Sequence, residues 1–84
     1  MKHARKDYNP RIQDAAGLIP EDEPVFLIRS SDKVGAAAVE AWANLAAASG
    51  ADFDMVRRAV SHARLMRQYA DEHGEKVPDM PSDA

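Results

Sequence analysis

The 84 residues include no cysteine, and this absence removes several classes of protein at once. Disulfide frameworks and thiolate zinc sites both need cysteine. The three histidines (His3, His62 and His73) are scattered and do not show the spacing of a zinc-protease motif. A chain this short buries a modest core, and small scaffolds without disulfide or metal commonly depend on oligomerisation. The sequence therefore predicts a homo-oligomer with no metal and no cofactor.

Long apolar runs are also missing. No stretch approaches the roughly 20 residues that a membrane-spanning helix needs. The basic residues near the N-terminus are not followed by the apolar segment of a secretory signal, so we expect a cytoplasmic protein without membrane contact. The formal net charge of -3 does not favour binding to nucleic acid.

The first part of the chain is rich in turn signals. Prolines and glycine punctuate it and forbid a long helix, because proline lacks an N–H and restricts the residue before it. We expect an irregular arm over residues 1–24, with a short helical turn near residues 3–9. If this arm wraps over the core, Leu18 and Ile19 would be its anchor.

One strand is predicted at residues 25–29, where the apolar run Val-Phe-Leu-Ile follows a proline. A strand needs partners for its backbone N–H and C=O groups. Three solutions are open: pairing with residues 17–19, pairing with the same strand of another subunit, or burial as an extended segment against the helices.

A first helix is predicted over residues 33–48, with Ser31 or Asp32 as its N-cap. Its body is rich in alanine, which permits close approach of a second helix. Trp42 is the simplest candidate for the core anchor. The broad apolar stripe of this helix consists of Val34, Ala38, Ala41, Trp42 and Leu45.

A second helix is predicted over residues 53–73, capped by Asp52 and followed by Gly74. Apolar residues cover well over half of its circumference, more than a hairpin needs, so the excess must meet the arm, another subunit or a partner. The predicted fold is mainly α: an antiparallel helical hairpin preceded by an extended segment with one short strand. We expect a single domain over residues 1–74 and a disordered tail over 75–84.

A block near the N-terminus resembles a family of short uncharacterised proteins from bacteria and their phages. The resemblance rests on Asp7-Tyr8-Asn9, Arg11-Ile12-Gln13-Asp14, the stretch from Gly17 to Arg29, and Asp32. It covers residues 7–32 well and the hairpin loosely. It departs in two places: Pro10 is inserted before Arg11, and Ala15 stands where the family pattern has proline. The resemblance implies a phage or prophage setting and implies nothing about chemistry.

The junction of Arg29, Ser30 and Ser31 with the first helix is one candidate ligand site. A helix N-terminus offers free N–H groups to a phosphate or carboxylate, and the Arg29 guanidinium would add a bidentate donor. The simpler interpretation is structural: Ser31 or Asp32 caps the helix, and Arg29 pairs with an acid from residues 21–23.

Tyr8, Arg11 and Gln13 form a second candidate set. A flat ring, a guanidinium and an amide suit the stacking and edge recognition of a nucleotide. The same residue types are common in a loop that packs a ring on the core and hydrogen-bonds its own backbone. No glycine-rich phosphate loop accompanies them.

Arg57, Arg64 and Arg67 lie along one face of the second helix and form a candidate partner-binding surface. Such a face is more often solvated or paired with acids. No aromatic residue interleaves with the arginines, so nucleic acid is an improbable partner.

No nucleophile–base pair or metal-ligand pattern is present, and we expect a protein that is not an enzyme. The leading hypothesis is a non-catalytic binding protein, in a phage setting a counter-defence or regulatory factor that sequesters a small anionic or nucleotide ligand. The alternative is an inhibitor or adaptor that acts on a host protein.

Overall fold

The computed structural model describes residues 2–80. They divide into an N-terminal unit, residues 2–28 with Asp79 and Met80, and a hairpin unit, Arg29–Pro78, whereas the sequence predicts one domain over residues 1–74. Two long helices pack together after an extended segment with a short strand, which confirms the predicted fold class. Among residues 2–80, neither helix combines the length and the apolar content of a membrane span.

The N-terminal unit contains a small parallel sheet. Strand β1, Lys2–His3, pairs with β2, Pro24–Val25, so that Lys2 lies beside Pro24 and His3 beside Val25. The strand predicted at residues 25–29 is therefore shorter and begins one residue earlier, and its partner is residues 2–3 and not residues 17–19. A strand of two residues shows no periodicity, so its pairing could not be read from the sequence.

His3 and Tyr8 are the buried residues of this unit, and Tyr8 belongs to a 3-10 helix over Lys6–Arg11. The His3 Nδ1 atom accepts the Arg5 N–H at 2.9 Å, and its Nε2–H donates to the Leu27 carbonyl oxygen at 3.2 Å. The His3 ring also packs at 5.0 Å from Tyr8 and 4.6 Å from Phe26, between ring centroids. Leu18, predicted as an anchor, is 82% exposed. A histidine with both ring nitrogens bonded therefore organises the arm.

Helix α1 spans Gly35–Ala48 and begins two residues later than predicted. Its N-cap is Val34, without a side-chain hydrogen bond, so the predicted capping by Ser31 or Asp32 is wrong. The reason lies in the C-terminal segment. Lys76 N–H donates to the Ser31 carbonyl at 2.9 Å, and Lys33 N–H donates to the Lys76 carbonyl at 2.7 Å. This pairing, together with the turns around Asp32, keeps residues 31–34 outside α1.

The same pairing ties down part of the predicted disordered tail, because Lys76 forms a parallel bridge with Asp32. Residues 81–84 of that tail lie outside the described residues.

Helix α2 spans Phe53–His73, the same bounds that the sequence predicts. The Asp52 carboxylate accepts the N–H groups of Asp54 and Met55 at 2.9 and 3.2 Å, which satisfies donors that have no partner within the helix. Gly74 follows the helix with φ of +90°, a conformation that side chains disfavour. Residues next to the helix in the sequence, Asp52 before it and Gly74 after it, therefore set where α2 begins and ends.

Candidate functional site

Alanine forms most of the contact between the two helices. The buried residues of α1 and α2 are, with one methionine, all small: Gly35, Ala36, Ala43, Ala59, Ala63, Met66 and Ala70. In α2 the spacing of these residues alternates between four and three, so they form one straight stripe. Small side chains let the helix backbones approach closely, and Met66 is the one large apolar side chain among these buried residues.

Apart from Met66, the largest apolar residues of the hairpin lie outside its core. Trp42, predicted as the core anchor, is 50% exposed, and Tyr69 and Leu65 are 48% and 60% exposed. Met55 is exposed as well. His62 is also exposed. The structure thus corrects the expectation that the Trp42 stripe of α1 fills the core.

One broad side of the hairpin carries most of its charges. Glu40 of α1 and Arg67 of α2 form an ion pair across the two helices. At 3.6 residues per turn, the polar residues on this side are Glu40, Asn44, Arg57, Arg64, Arg67 and Asp71. We call this surface the charged side, and it contains all three arginines predicted to bind a partner.

The arginines of α2 are mostly engaged with acids. Arg57 and Arg58 both pair with Asp54, at 2.6 and 2.8 Å between nitrogen and oxygen. Hydrogen bonds from Arg57 and then Arg58 hold the pKa of the Asp54 carboxyl below its usual value. Arg67 pairs with Glu40, and Arg64 makes no ion pair within residues 2–80. Most arginines of α2 are therefore neutralised by acids of the hairpin itself, which is what the structural interpretation of this face expects.

The opposite side is the apolar side, which we define by Trp42, Met55, Leu65 and Tyr69. By helix spacing, three charged residues of the described chain border it: Arg58 and Asp54, which pair with each other, and Glu72, which accepts a hydrogen bond from Gln68. The Tyr69 ring stacks on His73 with 4.1 Å between centroids, and the His73 Nδ1–H donates to the Tyr69 carbonyl at 3.1 Å. These contacts hold an aromatic ring in place on an otherwise open apolar surface.

A pocket of about 260 Å³ lies in the hairpin unit where α1 begins and α2 ends. It brings together Ser30 from the first candidate site and Arg67 from the arginine face. Its lining adds one more cation, Lys33, and three acids, Asp32, Asp71 and Glu75. Acids outnumber cations around it, which opposes the binding of an anion.

The second candidate set lies in the N-terminal unit. Tyr8 is 3% exposed, and the guanidinium carbon of Arg5 lies 4.3 Å from its ring centroid. Arg11 lies 6.0 Å from the same centroid, and Gln13 is exposed. The ring is therefore surrounded by its own chain, with no open face for a base. Arg29, Ser30 and Ser31 belong to the hairpin unit, so the two ligand sets fall in different units.

The chain thus forms a helical hairpin with one charged and one apolar side. Among residues 2–80, no group of three or more histidines, aspartates or glutamates is placed to hold a metal ion. Comparison with protein-family models, with curated proteins and with solved structures gives no match.

Sequence reasoning singled out no residue of the apolar side as a site. The signal was nevertheless there, because the apolar residues of α2 cover more of its surface than one neighbouring helix can bury. What the sequence could not show is which stripe of each helix faces inward.

Proposed function

We propose that this chain is a non-catalytic binding protein whose apolar side receives an amphipathic helix of another protein. The observation that carries the proposal is the exposure of Trp42, Leu65 and Tyr69, three large apolar side chains that the packing of α1 on α2 leaves uncovered. In the phage or prophage setting that the resemblance implies, such a protein is an inhibitor or adaptor of a host protein.

The composition of the apolar side supports a protein partner. Tryptophan, tyrosine and methionine are enriched at the centres of protein interfaces, and aromatic residues commonly dominate their binding energy. An amphipathic helix that lies in a groove between two helices is a recurring mode of recognition. Stacking on His73 restricts the Tyr69 ring before binding, which lowers the entropy lost when a partner orders it.

The test is site-specific photo-crosslinking in the cells from which the chain derives. Benzoylphenylalanine replaces Tyr69 on the apolar side or, as the matched control on the same helix, Arg64 on the charged side. We expect an adduct from position 69 whose partner peptide maps to the apolar face of a helix, and no such adduct from position 64. A Tyr69→Glu exchange in the chain should abolish co-purification of that partner, whereas Arg64→Glu should retain it.

Two results would refute the proposal. Crosslinking from position 64 but not from position 69 would assign recognition to the arginine face. Crosslinks from position 69 that join two copies of this chain would show that the apolar side is closed by self-association.

The sequestration of a small anionic ligand is the second candidate. Its support is that one pocket brings Ser30 together with the cations Lys33 and Arg67, but the three acids of the same lining oppose it. Its volume of about 260 Å³ is below the range usual for drug-sized ligands. Native mass spectrometry of the protein purified directly from cells separates the two functions. Extra mass of a few hundred daltons would identify a small ligand, and a spectrum without adducts would count against it.

A further inference from the structure

Helix α1 carries a second apolar stripe on the face directed away from α2. Successive residues of this stripe are four, three, four and three positions apart, the spacing that places side chains in one line along a helix. The stripe consists of the cap residue Val34 and of Ala38, Ala41, Leu45 and Ala48. Val34, Ala41, Leu45 and Ala48 are exposed and Ala38 is partly exposed, so most of the stripe is open.

The stripe contains no charge. Glu40 is the one charged residue of α1, and its ion pair with Arg67 places it on the other flank of the helix. A helix that is apolar all round belongs in the interior of an assembly. Here α2 covers the inner stripe, and the outer stripe lacks a neighbour within the hairpin unit.

We infer that the outer stripe pairs with the outer stripe of a second copy of this chain, antiparallel and about a two-fold axis near Ala41. The order of side chains along the stripe supports this occupant. When two copies run in opposite directions with Ala41 facing Ala41, Leu45 lies opposite Ala38 and Val34 opposite Ala48. Every large side chain then meets an alanine, and no two large side chains compete for the same space.

The absence of charge from the outer stripe also favours a second copy of the chain as its partner. In a two-fold interface each surface meets itself, so a charged residue near the axis would face a like charge. The outer stripe avoids this repulsion by carrying none. Alanines at its centre repeat the chemistry by which Ala36 and Ala43 already pack against α2, so close approach of the backbones is available on both faces of α1.

The area sets the expected strength. The exposed parts of Val34 and Leu45, with the three alanines, offer roughly 350 Å² per chain, or about 700 Å² in total. This is smaller than a standard specific interface, so the dimer should be weak and dissociate in the high-micromolar range. The outer stripe and the apolar side lie on different faces of the hairpin, so the dimer leaves Met55 and Tyr69 free for a partner.

The experiment is sedimentation equilibrium of the full chain from about 1 to 300 µM, a range that brackets micromolar association. Wild type and the control Ala47→Glu, an exposed position on the flank of α1 that carries Glu40, should pass from monomer to dimer. Ala41→Glu should weaken association by roughly 100-fold or more, because two unpaired carboxylates would be buried at the axis. Circular dichroism should show equal helix content in both variants, so that loss of folding is separated from loss of pairing.

Cysteine crosslinking tests the direction of the two helices, since the chain has no cysteine of its own. Ala41→Cys should form an intermolecular disulfide on mild oxidation, because position 41 lies beside its own copy. Ala48→Cys should not, because the ends of antiparallel helices lie far apart. A disulfide from both cysteine variants would indicate parallel helices. If Ala41→Glu dimerised as strongly as the wild type, the dimer interface would not be the outer stripe. A wild type that stays monomeric throughout would refute the dimer. None of these results changes the crosslinking expected from position 69.

Discussion

At the scale of single residues, alanine decides how the hairpin is built. Ala43 and Ala63 are almost completely buried, and neither offers more than a methyl group to the interface. The free energy of burial per residue is therefore small, and the helices gain instead from the short distance between their backbones. The large apolar residues are left for surfaces that a second molecule can cover.

The close fit predicts that a larger residue in the inner stripe is harmful. Ala63, at 1% exposure, has no room for three additional carbon atoms, so Ala63→Leu should lower the free energy of unfolding by about 1–3 kcal/mol. Ala37→Leu is the matched control, because position 37 is exposed and leucine is a good helix former. Thermal unfolding by circular dichroism measures both. A stable Ala63→Leu variant would mean that the helices are loosely packed.

At the scale of elements, the two helices differ in what delimits them. Local residues begin and end α2: the Asp52 carboxylate at its start and Gly74 after its end. Helix α1 has no side-chain cap, and the backbone pairing of residues 31–33 with Lys76 fixes where it begins. The start of α2 can be tested through the ionisation of its first turn.

The lowered pKa of Asp54 predicts the direction in which the stability of the protein changes with pH. Its folded-state pKa is lowered by the hydrogen bonds from Arg57 and Arg58, so its contribution to stability is present above the unfolded-state pKa. The contribution is lost as pH falls through the lowered value, within roughly pH 5 to 2. In Asp54→Asn this part of the acid-induced loss of stability should disappear, and the melting temperature should fall less steeply on acidification. The effect should be small because the carboxylate is solvent-exposed, and it should weaken in high salt.

If Asp54→Asn and the wild type lose stability equally on acidification, the pairs with Arg57 and Arg58 do not persist in solution. Asp71→Asn is a suitable control on the same helix, since no ion pair of Asp71 is seen within residues 2–80.

At the scale of the whole molecule, the exposed apolar surfaces say more about function than the core does. The hairpin unit has two apolar surfaces, the outer stripe of α1 and the apolar side. We propose a second copy for the first surface and a helix of another protein for the second. In this arrangement a dimer would present two binding surfaces to its partners.

Self-association predicts a stability that depends on protein concentration. Because only the folded chain can pair, mass action should raise the melting temperature of the wild type as concentration increases from a few to a few hundred micromolar. Ala41→Glu should melt at one temperature across the same range. Differential scanning calorimetry checks this, and a concentration-independent midpoint for the wild type would argue against the dimer.

Much of the hairpin could be predicted from the sequence because its signals are local. The helical period, the capping of α2 by Asp52 and the glycine at position 74 act within a few residues of the chain. The pairing of Lys2–His3 with Pro24–Val25 and the bridge between Asp32 and Lys76 join distant residues, and both escaped prediction. For the same reason the start of α1 was placed two residues too early.

The sequence by itself determined that two helices form, where α2 begins and ends, and that apolar surface exceeds what a hairpin can bury. Only the tertiary structure decided which surface remains open. The physical reason is the alanine content of α1: with small apolar residues on nearly every side, periodicity does not distinguish the stripe that packs on α2 from the stripe that faces outward. That choice depends on how closely Ala36 and Ala43 approach α2, and it leaves Trp42 and Tyr69 on the surface.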